Sequence, residues 1–471
     1  MQTDPPTAAT LAPATLRRLL ALAWPIIVSR SSQVVVGVCD AVMVASLGEA
    51  ALAATTTGAL NTFNLLILPM GVVFIVSSFS SQLAGKGDLA GARRYGWYGL
   101  VVALLAQAAS LATLPAVRPA LGALGYAPEV LELMAGYIQL RLLTGGAAIG
   151  LEALANYYGG LGNTRLPMLA NLAAMVLNVL GNWILIWGHW GAPAMGVRGA
   201  ALASALSTLV AFAGLFACFV RGVGAGGGWS AGLVHPEAPA DARSGALSLR
   251  ELFAMLKYGL PSGLNWFLEF SAFSFFINVV VAGLGTTTLA AMMAVMQINS
   301  VSFMPAFGLA SAGAILVGQE MGAGAHDRVP RTVRLTLLTA AAWEGAAGLC
   351  YFLFPHLLMR PFLDPGVDSS AFLAAGARML MLSAAWQLFD AAATTLAEAL
   401  RGAGDTAFTL WVRVAIAWFV FVPGVWVSVR HLGMGDAAAI LWLTGYIALL
   451  AGVLWLRFRS GAWRRFDLTR V

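Results

Sequence analysis

The sequence predicts an all-α membrane protein whose twelve transmembrane helices form two parallel six-helix repeat bundles. Three observations predict it: charge is scarce, apolar runs of bilayer length recur along the whole chain, and short motifs repeat at a nearly constant offset. Of the 471 residues, 59% are hydrophobic and 10% charged, and the mean hydropathy is +0.81. A soluble domain carries roughly a quarter charged residues, so lipid is the solvent for which this chain is built. A hydrocarbon core of about 30 Å takes around 20 mostly apolar residues per helical crossing. The stretches between Arg94 and Arg118 and between Glu269 and Glu320 carry no charge at all, and the second is long enough for two crossings joined at Gly283 to Gly285.

Apolar runs bounded by charged or Gly/Pro breaks place the helices near 19–47, 52–83, 95–117, 131–160, 166–187 and 199–220 in the first half. In the second half they fall near 258–283, 288–319, 335–359, 371–400, 408–429 and 437–456. Residues 1–18 read as a polar tail, and the apolar run after Arg17 and Arg18 is longer than a signal-peptide core, which makes it a retained first helix. Residues 19–220 form the first bundle, 221–250 a Gly/Pro-rich linker, 251–460 the second bundle and 461–471 a second tail. In the linker Gly222, Gly224 and Gly227 satisfy GxGxxG, but no strand precedes them and no helical pattern follows, so a solvated hinge is the better reading.

Of the 27 lysines and arginines, 20 fall in the tails, the linker and the even-numbered loops if the N-terminus is cytoplasmic. The positive-inside rule therefore orients both termini and the linker toward the cytoplasm. Basic residues dispersed among short loops do not form the basic face of a nucleic-acid binder. Cys39, Cys218 and Cys350 are isolated within apolar segments, which supports neither a disulfide framework nor a metal site, and no cofactor is expected.

The internal repeat is visible at four places. Gln82 to Gly87 matches Gln319 to Gly324 at an offset of 237, Leu161 to Thr164 matches Arg401 to Thr406 near 242, and Met195-Gly196 matches Met434-Gly435 at 239. Pro25 and Pro261 open the first and seventh helices at an offset of 236. Six crossings preserve orientation, so the halves are parallel repeats about an axis along the membrane normal.

These motifs in this order resemble the MATE (multidrug and toxic compound extrusion) family, and the NorM-like branch in particular. The resemblance rests on Pro25 to Asp40, Leu177 to Gly188, the pairing of Pro261 with Glu269, Val317 to Gly324 and Phe389 to Thr406, and it covers nearly the whole chain. It implies two bundles around a central cavity, a location in the inner (cytoplasmic) membrane, and alternating access. It further implies export of small organic cations in exchange for H⁺ or Na⁺, by a monomer and without enzymatic chemistry.

Carboxylates at mid-membrane cost at least about 2.5 kcal/mol on insertion scales, so acids within helices are the default functional candidates. Asp40, Glu152, Glu269, Glu344, Asp390 and Glu398 fall within predicted helices. Glu269 shares a face with Ser262 and Asn265, and Asp390 shares one with Ser383 and Thr394. The resemblance marks both acids as cation-coupling positions and as the groups that would hold Na⁺ if sodium is the coupling ion; the competing reading for each is an ion pair with Arg378 or Arg413. Asp40, Asn178 and Asn182 are expected to meet in one polar chamber of the first bundle, as a coupling site or as a polar knot between helices. An acid stands at the Asn182 position in some family members.

Arg30 lies ten residues from Asp40, or about 15 Å along a helix, too far to pair with it. Glu152 and Glu344 are read as structural pairing partners, and Glu398 as a local ion pair with Arg401. Trp266, Phe270, Trp386 and Phe389 flank the two acids of the second bundle and are the candidate contacts for organic cations. Trp386 stands where relatives often carry a tyrosine.

The alternative within transport is a flippase or exporter of a lipid-linked or polymer precursor with the same two-bundle plan. It would need several buried bases for pyrophosphate, and here acids outnumber them. A cysteine placed at Ala225 in the linker is expected to resist an impermeant thiol reagent added outside intact cells. Ready labelling would reverse the topology.

Overall fold

A computed structural model describes residues 12–224, 247–363 and 370–470. The linker from 225 to 246 and the first eleven residues of the N-terminal tail lie outside the described residues. Among those described there is no β-strand. Ten helices, or twelve spans if two bent pairs each count as one, are long and apolar enough to cross a membrane. In the first half these are α1 (Leu16–Ala45), α2 (Glu49–Lys86), α3 (Leu89–Ala123), the bent pair α4 (Pro128–Leu142 and Gly145–Gly160), α5 (Arg165–Trp187) and α6 (Val197–Val220). The second half has α7 (Leu249–Leu284), α8 (Thr286–Gly322), α9 (Val329–Leu353), the bent pair α10 (Ser370–Ser383 and Gln387–Ala403), α11 (Thr406–His431) and α12 (Gly435–Arg459).

The expected helices at 131–160 and 371–400 are therefore each broken, by 48° and 52°. Apolarity is continuous across both breaks, which is why the sequence reads as one span. A break within hydrocarbon is tolerated only where the freed backbone groups find partners. At α4 the side chain of Gln107 supplies both: its amide donates to the Leu142 carbonyl at 3.2 Å and its oxygen accepts from Gly146 N–H at 2.8 Å. At α10 the hydroxyl of Ser383 donates to the Leu380 carbonyl at 2.7 Å. The run expected at 335–359 ends early, because Pro355 opens a separate short helix, Pro355–Met359.

The repeat seen in the sequence is also a repeat in backbone geometry. Gly87 and Gly324 (φ 87° and 72°), Gly162 and Gly404 (84° and 101°), and Gly196 and Gly435 (54° and 68°) all adopt the left-handed region that disfavours residues bearing a Cβ. The motifs recur because the chain turns the same corner twice.

Contacts divide the chain into two compact units. The first contains Val28–Gly263, the second Pro13–Ile27 and Leu264–Asp467, and the residues from Leu468 onward belong to the first. Both divisions lie inside helices, two residues after Pro25 and Pro261. In the first unit α7 approaches α2 so closely that a Cβ built on Gly71 would lie 2.6 Å from Gly263 Cα. In the second unit α1 approaches α8 at the corresponding place, and a Cβ on Gly308 would lie 2.5 Å from Ile27 Cγ1. Small residues that let backbones touch are the usual way to hold helices together in lipid, where burial of apolar surface supplies no net drive.

A Cβ on Gly263 would meet the Leu68 carbonyl oxygen at 2.5 Å, whereas one on Gly214 meets nothing within 4 Å. Gly263→Ala is expected to destabilise the detergent-solubilised protein by about 1–3 kcal/mol through overpacking. Gly214→Ala serves as the neutral control, and equal melting temperatures for the two variants would contradict the packing.

Candidate functional site: a polar cluster in each unit

In the first unit α1, α5 and α6 each contribute to one buried polar cluster. Asp40 accepts from Asn182 Nδ2 on one carboxylate oxygen and from Ser204 Oγ on the other, the latter at 3.1 Å. Asn178 donates to Ser204 Oγ at 2.8 Å, and Asn182 also reaches Asn178 Oδ1 at 3.4 Å. All four are buried, Asn178 and Asn182 completely. The i, i+4 spacing of the two asparagines puts both on the face of α5 that meets α1, and the three residues expected to meet do so. Ser204 is the member that sequence reasoning missed. Nothing in a serine within the apolar run of α6 distinguishes it from a helix-packing residue. Asn171 lies on the same face of α5 and accepts from Gln33 at 3.3 Å. Among the described residues Asp40 makes no ion pair.

Deeper in the sequence of the same unit, Arg30 on α1 pairs with Glu152 on α4 through two hydrogen bonds, at 2.6 and 3.2 Å. Asn156 donates to the same carboxylate at 3.1 Å, and the guanidinium lies 5.3 Å from the ring centre of Phe74. This assigns Arg30, for which the sequence offered only the negative result that Asp40 is out of its reach, and it bears out structural pairing for Glu152.

In the second unit Glu269 on α7 forms an ion pair with Arg413 on α11, the competing arrangement considered for it above. Arg378 pairs instead with Asp436, and Glu398 with Arg401. Asp390 lies at the start of the second segment of α10, near Glu269 and Arg413 but without a salt bridge among the described residues. The same helix joins a chain of buried polar side chains with α8. Gln387 donates to Asn299 Oδ1 at 2.6 Å and accepts from Ser302 at 3.2 Å, and Asn299 reaches Ser383 Oγ at 3.4 Å. Ser383, expected on one face with Asp390, lies on the other side of the break in α10 and bonds to Asn299, and Asn299, Ser302 and Gln387 were not singled out by the sequence. They sit in apolar runs and acquire meaning only where α8 meets the bend of α10. Ser262 falls in the first unit while Asn265 and Glu269 fall in the second, so their shared helical face is divided.

The candidate aromatic contacts separate. Trp266 and Phe270 are partly buried, Trp266 lying edge-on to Phe307 with centroids 5.9 Å apart, and Phe389 is exposed. Trp386 is 5% exposed and packs in the apolar core with Tyr351, Phe276 and Leu380. Among the described residues no group of three or more His, Cys, Asp or Glu has the arrangement of a metal site. A lone sodium ion on two carboxylates lies outside that pattern.

Removing one partner of an ion pair in lipid strands the other charge. Glu152→Gln is expected to destabilise the protein by about 2 kcal/mol, below the roughly 3–5 kcal/mol of a fully buried pair because Arg30 keeps some exposure. Arg30→Leu combined with Glu152→Leu should recover most of that loss, and a double variant weaker than either single one would contradict the pairing.

With this geometry in view, the chain was compared with known proteins. The MatE family model matches residues 25–184 and 261–427, one match in each half. A protein of Pseudomonas putida named "Probable multidrug resistance protein NorM" is 30% identical over 435 residues, covering 92% of this chain and 91% of that one. "Multidrug resistance protein PmpM" of Pseudomonas aeruginosa is 30% identical and covers 87% of this chain and 83% of its own length. Among solved structures, a MOP superfamily transporter from Pyrococcus furiosus matches with a TM-score of 0.84 at 20% identity, covering 95% of this chain and 96% of that one. An outward-facing multidrug resistance MATE family transporter matches at 0.82 and 20% identity, with the same coverage. At that identity the structures speak for the fold, and the family model and the sequence relatives speak for descent. The chain is a multi-pass membrane protein that belongs to the MATE family, on its NorM-like branch.

Proposed function

We propose that this protein is a secondary active efflux transporter of the inner membrane, exchanging cationic amphipathic compounds for H⁺ or Na⁺ by alternating access. The observation that carries the reading is that each unit holds a membrane-embedded carboxylate without a salt bridge among the described residues, Asp40 in the first and Asp390 in the second. A carboxylate in lipid is stable when a positive charge neutralises it, and a proton, a sodium ion or an organic cation can each do so. Two ligands that compete for the same neutralising role cannot both be held at once, so loading one favours release of the other. The relatives are multidrug resistance proteins by name, and that supplies the substrate class.

Trp266, Phe270 and Phe389 lie on the same two helices as Glu269 and Asp390, where an aromatic face attracts an organic cation by roughly 0.5–2 kcal/mol. Asn178 and Asn182 complete the polar wall of the first unit and hold the Asp40 carboxylate in position. Glu269, joined to Arg413, belongs to the second cluster as half of a neutral pair. Export of a pyrophosphate-linked precursor is less well supported, because Arg30, Arg378 and Arg413 are each already engaged by a carboxylate.

Asp40→Asn and Asp390→Asn are each expected to reach the membrane at near-parental level and to lower gradient-driven efflux of a fluorescent organic cation by about tenfold or more. Efflux measured with the pH and sodium gradients varied separately identifies the ion. If both variants pump at the parental rate under every gradient, the coupling charge is held elsewhere.

A further inference from the structure

At its last residues α12 folds back on itself. Arg459 ends the helix, Ser460 Oγ donates to the Arg457 carbonyl at 2.7 Å, and Gly461 takes a φ of 71°, which turns the chain into a short helix, Ala462–Arg465. Trp463 of that helix is buried. Its ring stacks on Phe458 with centres 5.5 Å apart, and its indole N–H donates to the Phe458 carbonyl at 2.9 Å. A tryptophan buried with its one donor satisfied makes a fixed wall.

A cavity of about 600 Å³ lies at this turn, lined among others by Trp455, Arg459, Trp463 and Arg464, with Pro330 from the start of α9. Both guanidinium groups rest on indoles, Arg459 at 5.1 Å from the Trp455 ring centre and Arg464 at 5.3 Å from that of Trp463. An arginine placed in this way keeps donors of its fork free for an oxyanion and has less side-chain freedom left to lose on binding one.

The positive charge here is not cancelled within the chain. Between Trp455 and Arg470 there are five arginines and one acid, Asp467. Arg457 is engaged by Asp405 at 2.7 Å, the exposed Asp327 lies 3.9 Å from Arg464, and Arg459 makes no salt bridge among the described residues. Exposed Arg331 and Arg334, on the first turns of α9, add to the field. The apolar side of the cavity selects among anions: Trp455 and Leu456, one turn in from Arg459 on a helix that spans the membrane, are both exposed. A soluble anion has no use for that surface, whereas an acyl chain does.

We infer that this cavity binds an anionic phospholipid, its phosphate held by Arg459 and Arg464 and an acyl chain laid along Trp455 and Leu456. The positive-inside rule turns this end of α12 toward the cytoplasm, so the lipid comes from the inner leaflet. Basic pockets between spans at that surface are suited to phosphate headgroups, and arginine matches the phosphate oxygens in a fork.

The test uses the purified full-length protein in phosphatidylcholine nanodiscs that contain a trace of phosphatidylglycerol bearing a photoactivatable group on one acyl chain. After illumination the adducts are located and counted by mass spectrometry. Crosslinks are expected in the segment from Trp455 to Arg464, suppressed by unlabelled phosphatidylglycerol and not by millimolar inorganic phosphate. Arg459→Gln and Arg464→Gln should each lower the yield there about fivefold, while Arg465→Gln, which removes the same charge outside the cavity lining, should leave it within about twofold. Equal yield in this segment from the matching phosphatidylcholine probe overturns the inference, as does parental yield in both cavity variants or an equal fall in Arg465→Gln. Suppression by inorganic phosphate also overturns it, because the cavity is then a site for free anions. If a variant melts well below the parent, the comparison of the two lipid probes on the parental protein decides by itself.

Discussion

A charge inside hydrocarbon has to be answered by another charge, and the architecture of this protein can be followed by asking how each one is answered. Arg30 and Glu152 answer each other across α1 and α4, Glu269 and Arg413 across α7 and α11, Arg378 and Asp436 across α10 and α12, and Glu398 and Arg401 within one turn of α10. Each interhelical pair ties two spans at a defined register. The cost of breaking it is larger than the gain of making it, because a stranded ion in lipid has no water to fall back on. Asp40, held by amide and hydroxyl donors, and Asp390 and Glu344, which lie close to each other, form no ion pair among the described residues. The distribution is uneven in a useful way. Paired charges tie the spans in register, and the unpaired acids are the positions to which the proposed exchange is assigned.

The scaffold that holds these groups is built twice from one plan. Equivalent glycines take left-handed conformations at both copies of each motif, and the bent spans α4 and α10 occupy equivalent places. The two copies then diverge at the bend. The first satisfies the broken backbone with Gln107, and the second with Ser383 beside a row of amides and two carboxylates. A duplicated fold can keep one copy as neutral structure while the other acquires charge, since the helix-packing contacts at small residues such as Gly263 and Gly308 do not depend on what the bend carries.

Much of the fold was legible in the sequence because the bilayer imposes a length and a polarity on every span, and both are linear properties of the chain. The motifs that marked the repeat coincide with the backbone corners because positive φ selects glycine locally. Part of the site was legible for the same reason: Asp40, Asn178 and Asn182 were joined by a helical face and by the rarity of acids in lipid. The partners were not. Whether Glu269 faces Arg413 or Arg378, whether Arg30 meets Glu152, and whether Trp386 lines a surface or enters the core depend on which helices are neighbours and where they bend, and neither is encoded in periodicity.

The amino-acid sequence alone determined that this is a twelve-span duplicated membrane protein and which acids are exceptional, because hydropathy and repeat offsets need no knowledge of contacts. Only the tertiary structure decided which of those acids are already neutralised. Pairing is a distance between residues as remote as 269 and 413, and the break in α10 is one that continuous apolarity conceals.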